Sequence, residues 1–317
     1  MLKGYLNYTN YFPFLCHKVN SYFLANVENL LSPSSALPLS YPPIFFLGAP
    51  RSGSTLAIQT ITDCLDLGYI SNSHANWYGF PGLAEFLFKP TTNRPSSDYT
   101  SHHGIARGGY APSECGNWWY RFFRTHPSYV GLKDVDNKKM KLFRKSISAL
   151  TNSFDRPVIF KNLYASLRII PITHFIPESL FIITHRDEID NGHSLLEVRK
   201  KVFGNYKTWW SMKPPGHHKL DDLPPCKQVI EQIRHIQDLI KRDLKNAKVP
   251  KSRIFHISFD ELCSNPNHLI QRFKGFLTIN GCQVKRIGYP PDNFKQRTSI
   301  NIEDNLFRKM RNYAKSN

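Results

Sequence analysis

Short apolar runs set off by turn residues recur along the chain, and several are followed by apolar positions three or four apart. Ile44–Leu47 lies between Pro43 and Gly48, the pattern of a strand buried on both faces. Beyond it Leu56, Ile58, Ile61 and Leu65 fall near helical spacing, so the segment predicts strand, glycine-containing turn and helix. Val158–Phe160 before Lys161, and Leu180–Thr184 before Arg186, predict two more strands, with a crossover helix over Ala165–Phe175 broken or ended near Pro171 and Pro177. Val229, Ile233, Ile236, Ile240 and Leu244 form the stripe of an amphipathic helix. A strand at Arg253–Phe259 follows, and then Asn265 and Pro266 as N-cap and first position of a helix carrying Leu269, Ile270, Phe273 and Phe276.

This alternation predicts an α/β fold: a P-loop-like, mainly parallel sheet flanked by helices, with a loop-rich insertion over the strand ends. Residues 1–42, aromatic and then turn-rich, read as an N-terminal arm, and 43–317 as one domain. Within it residues 74–130, dense in Gly, Pro, His and Trp, read as the insertion. Strand-end loops are where such folds keep their chemistry.

Charge narrows the class of partner. Lys and Arg outnumber Asp and Glu by 42 to 24, a formal charge of +18, which implies something anionic. The basic residues are spread out rather than blocked, which argues against a nucleic-acid tail. Cys16, Cys64, Cys115, Cys226, Cys263 and Cys282 form no CxxC pair, which argues against structural zinc. The N-terminus lacks the continuous apolar core of a signal peptide, and no run reaches the roughly 18 apolar residues of a spanning helix. The expectation is a cytoplasmic protein, with at most peripheral membrane contact.

Gly48–Leu56, GAPRSGSTL, lies directly between the first strand and its helix. Written as a phosphate loop it carries Ser54 and Thr55 where an ATPase carries Lys and Ser or Thr, and its positive charge comes from Arg51. Such a loop turns backbone N–H groups toward an anion, aided by the helix dipole. Without the lysine that reaches the β and γ phosphates and a magnesium partner, the loop suits one phosphate joined to one sulfuryl group.

APRSGSTL resembles the 5′-phosphosulfate loop of sulfotransferases that use 3′-phosphoadenosine 5′-phosphosulfate (PAPS). The resemblance implies that Arg51 contacts the sulfuryl end and that Ser52, Gly53, Ser54 and Thr55 hold the 5′-phosphate. FIITHRDEIDNGHS places Arg186 after a strand and Ser194 eight residues later, which resembles the family's 3′-phosphate site. Lys161 is similar to a lysine near the sulfuryl group, and Lys295 and Arg297 loosely resemble a basic C-terminal loop over the 3′-phosphate. The resemblance implies no metal.

Sulfuryl transfer needs a base near the acceptor hydroxyl. The insertion offers His74, Glu85, His102, His103 and Glu114; Glu114 is favoured because GGYAPSECGNWW resembles a PxExGxxW segment of bacterial-type sulfotransferases, and His103 is second. Trp209, Trp210 and Met212 are placed at the acceptor cleft or in packing, His217 and His218 in solvent, and Asp260 and Glu261 as local caps. The expected acceptor is a hydroxyl of a glycan or glycolipid. The rivals are a magnesium-dependent P-loop nucleotide kinase or ATPase, and a non-catalytic, basic polyanion-binding protein whose affinity collapses with salt.

Overall fold

The computed structural model describes residues 11–32, 39–92, 94–102, 104–296 and 299–316. Among these residues five strands form one sheet: β1 (Ile44–Gly48), β2 (Gly68–Tyr69), β3 (Val158–Phe160), β4 (Leu180–His185) and β5 (Ile254–Ser258). Their order is β2-β3-β1-β4-β5 and every pairing is parallel. Central β1, buried along its whole length, has Ile44 in register with Ile159 on one side and Leu180 on the other. A strand packed on both faces must be apolar throughout, and this one is.

Helices flank the sheet. Pro225–Asn246 buries Val229, Ile233, Ile236, Ile240 and Leu244, the predicted stripe, and packs on Glu188–Phe203 and Asp304–Ser316. Pro266–Ile279 packs on β5 and on Ser54–Cys64. Asn265 caps it through Oδ1, which accepts from His268 N at 3.1 Å, with Pro266 in the first turn. Asp187 caps Glu188–Phe203 by accepting from Ile189 N and Asp190 N, and Gly204, at φ 71°, ends that helix.

Several details differ from expectation. The crossover is a 3-10 turn, Leu163–Leu167, followed by a helix, Ile169–Phe175; Pro171 lies in that helix's first turn, where no hydrogen bond is lost. Among the described residues the insertion holds the helices Pro81–Phe88 and Gly116–Tyr120, and the helix Asn72–Asn76 leads into it. Asp260 and Glu261 are not caps: they lie inside the helix Phe259–Ser264, where Glu261 pairs with Arg272 and Asp260 accepts from Gln296. The described part of the arm is helical from Tyr11 to Leu31.

Candidate active site

The loop after β1 is shaped by close approach. Gly48 lies so near β4 that a Cβ there would meet Thr184 Oγ1 at 2.4 Å, and the hydroxyls of Ser52 and Thr184 bond at 2.6 Å. Ser52 is therefore turned toward the sheet, where it pins the loop to β4. Gly53 has φ 91°, and a Cβ on it would meet the Phe259 ring at 2.3 Å. The helix Ser54–Cys64 begins immediately afterwards with no side-chain cap and no acid in its first turn. Its leading N–H groups, which no intrahelical carbonyl satisfies, face a cleft of about 460 Å³ lined by Gly53, Ser54 and Thr55.

Cations converge on the same cleft. Arg51, at φ 68°, donates through Nε to Ser194 Oγ at 2.9 Å. Arg186, at the end of β4, donates through Nη1 to Arg51 O at 3.3 Å and lies 4.5 Å over the Phe259 ring. Burial pushes its pKa down, opposed by Asp190, Cys263, Asp260 and Asp187, and its buried Nε has no hydrogen-bond partner among the described residues. A half-buried guanidinium with one buried, unpartnered N–H beside a helix N-terminus offers charge and donors of the kind an anion can satisfy.

On the other side of the cleft the tryptophans of the insertion fix the acid. Trp118 stacks on Phe160 at 5.3 Å, donates its indole N–H to Ser146 Oγ at 2.9 Å, and meets Trp119 edge to face. Phe160 is the last residue of β3 and Lys161 follows it, so this packing brings the segment before Trp118 to the strand end. There Glu114 Oε1 lies 2.5 Å from Lys161 Nζ, and the Glu114 carbonyl accepts from Asn162. Lys161 also donates to Gly104 O at 3.1 Å, and the same carbonyl accepts from Thr55 Oγ1 at 3.0 Å. An ammonium has three donors, so one remains for the cleft.

Of the other candidates, His74 and Glu85 are buried and bonded to each other at 3.1 Å away from the cleft, His74 completing a capping box with Ser71. His102 is exposed beside the Ile105 bridge. His103 and Arg297 lie outside the described residues. Lys295 is exposed on a segment held at the rim by Phe294, which packs on Tyr99 at 5.0 Å, and by Gln296, which donates to Asp260. Trp210 lines the cleft, whereas Trp209 donates to Met212 O and packs on Arg199. His218 is exposed and His217 packs on Trp209 at 5.8 Å. Sequence reasoning missed Tyr99, Tyr164 and Phe259 in the lining. Phe259 was within reach, because it follows β5 as Arg186 follows β4.

A parallel α/β sheet with a glycine-containing loop after its central strand, Arg51 in that loop and Arg186 at the end of the neighbouring strand β4, frames the cleft. Residues 42–280 match the model of the sulfotransferase family, and the chain belongs to that family. Its fold is similar to those of sulfotransferase STF9 from Mycobacterium avium (14% identity, TM-score 0.51, covering 94% of this chain and 72% of that one) and sulfotransferase STF1 from Mycobacterium tuberculosis H37Rv (13% identity, TM-score 0.50, covering 96% and 80%). No curated protein sequence matches it.

Proposed function

We propose that the protein transfers a sulfuryl group from PAPS to a hydroxyl acceptor. The observation that carries this reading is the convergence of Arg51, Arg186 and Ser194 beside an uncapped helix N-terminus, with one buried Arg186 donor unspent. The helix N–H groups, with Gly53, Ser54 and Thr55, suit the 5′-phosphate. Arg186 and Ser194 suit the 3′-phosphate, with the exposed Lys295 at the rim. Ser52 acts through the loop's shape, since its hydroxyl is spent on Thr184.

Across the cleft, Glu114 accepts the proton of the acceptor hydroxyl as its oxygen attacks sulfur in line. The new S–O bond forms as the bond to the 5′-phosphate oxygen breaks, leaving a sulfate ester and adenosine 3′,5′-bisphosphate. Lys161 and Arg51 balance charge on the sulfuryl and leaving oxygens. The scheme calls on no metal ion. A polar, aromatic insertion suits a glycan or glycolipid acceptor, and six unpaired thiols, five of them buried, suit a reducing compartment such as the cytoplasm.

The test is calorimetry without magnesium, comparing adenosine 3′,5′-bisphosphate with adenosine 5′-monophosphate in the native chain and in Arg186→Ala. Preference for the bisphosphate that the substitution removes supports the proposal. Equal, weak binding of both nucleotides overturns it.

A further inference from the structure

Over residues 15–31 the helical arm is packed largely inside out. A helix on a globular surface normally turns its apolar stripe inward and its polar face to water. Here, beside the small Ala25, the buried groups are polar: Asn20, 4% exposed, accepts from Gly79 N and donates to Asn76 O, while Glu28, 2% exposed, accepts from Gly82 N and Ser146 Oγ. Ser21 and Tyr78 join through their hydroxyls at 3.0 Å. The exposed groups include, beside His17, Lys18 and Asn26, the large apolar side chains of Leu15, Val19, Tyr22, Phe23, Leu30 and Leu31, with Phe23 at 66% and Leu30 at 85%.

This outward face continues onto the helix Pro81–Phe88. Leu31 and Phe86 line one shallow pocket of about 280 Å³, and beside Phe86 the side chains of Leu87 and Phe88 are exposed as well, with Trp77 at 5.9 Å from Phe88. Isolated exposed apolar residues are ordinary, but a joined patch on two elements marks a contact surface.

Charge selects the occupant. Residues 15–32 and 77–89 contain two acids, Glu28 and Glu85, and both are buried, so the patch exposes no carboxylate. Its cations, Lys18 and Lys89, are exposed. Lys145 donates to Asn29 O, which sets the helix Asn137–Phe154 against the end of the segment, and on that helix Lys138 and Lys141 are exposed. A second copy would place the same lysines opposite one another, and a chain of formal charge +18 resists that. An apolar, aromatic surface rimmed by lysine is complementary to an anionic lipid surface, where rings and leucines enter the headgroup boundary and ammonium groups meet phosphates.

We infer that the face formed by residues 15–31 and the helix Pro81–Phe88 docks the protein peripherally on anionic membranes. This surface lies apart from the cleft residues, and the inference does not depend on the reaction proposed above. The test is co-sedimentation of the full chain with phosphatidylcholine vesicles, with and without phosphatidylglycerol, for the native protein and for Phe23→Ser/Leu30→Ser. These side chains are exposed, so the variant keeps its circular dichroism and thermal midpoint. The expected result is binding to the anionic vesicles alone, lowered about tenfold or more by the double substitution. Three results would overturn the inference: no vesicle binding; binding that the double substitution leaves unchanged, which would be adsorption by net charge; or a dimer in sedimentation equilibrium that the same substitution dissociates.

Discussion

Arg51 Nε and Ser194 Oγ, 143 residues apart in sequence, are joined by a 2.9 Å hydrogen bond. The arginine spends a lone pair of the serine and leaves its O–H free to donate. The residue assigned to the sulfuryl end and a residue assigned to the 3′-phosphate thus form one unit, in which Arg51 orients the hydroxyl.

Ser194→Ala removes that unit's hydroxyl. A hydrogen bond to a charged group contributes about 1.5–3 kcal/mol, so affinity for adenosine 3′,5′-bisphosphate is expected to fall by about tenfold to a hundredfold. Affinity for adenosine 5′-monophosphate should barely change. Calorimetry on both nucleotides checks this, and equal losses for both would place Ser194 in loop support only.

Gly53→Ala is expected to destabilise the chain by about 1–3 kcal/mol, because a positive φ is imposed on a residue with a Cβ. The new methyl also meets Phe259. Adding Phe259→Leu should recover part of the loss and no more, since the backbone strain remains. Denaturant melts of the single and double variants read this out.

Glu114→Gln keeps an oxygen for Lys161 but removes the carboxylate proposed as the base. The turnover rate is expected to fall by about 10²–10⁴, the usual contribution of general base catalysis, with bisphosphate affinity unchanged. Steady-state kinetics beside calorimetry separates the two. A normal rate would move the base elsewhere in the insertion.

Burial raises the Glu28 carboxyl from 4.5 to about 7, against the opposing effects of Arg121, Ser146 and the Gly82 and Leu83 amides. The folded chain therefore holds a proton that the unfolded chain releases above about pH 4.5. This group's contribution to stability is greatest below that value, declines as pH rises through the interval, and is fully lost above about pH 7. Glu28→Gln mimics the protonated form, so its stability relative to the native chain should be higher at about pH 8 than at about pH 5. Thermal midpoints at the two pH values check the sign.

The parts of the fold that carry chemistry were legible for a physical reason. β1, β3 and β4 are buried on both faces, so they read as unbroken apolar runs, and the loop, Lys161 and Arg186 begin where each run stops. β2 is two residues long and has no pattern to read. The helix Asn137–Phe154 buries Ser146, Ser148 and Thr151 beside Phe143 and Ile147, which blurs its stripe. Glu114 was favoured through its neighbours, and those neighbours are the reason it arrives: Trp118 and Trp119 are core residues that carry the acid to Lys161. The arm was opaque because its polarity is reversed, with Asn20 and Glu28 as its inner contacts. Burial cannot be inferred from a segment whose polar side is the inner one.

Thr55 and Lys161 both donate to one main-chain oxygen, that of Gly104. Side-chain replacement cannot delete a carbonyl, so the tie between the insertion and the platform beneath it survives most changes in the residues around it. Side chains that line the cleft beside it, Ile105 among them, are not part of that tie. A main-chain anchor of this kind fixes where the insertion sits over the loop and leaves the side chains on its cleft-facing surface to set what that surface recognises.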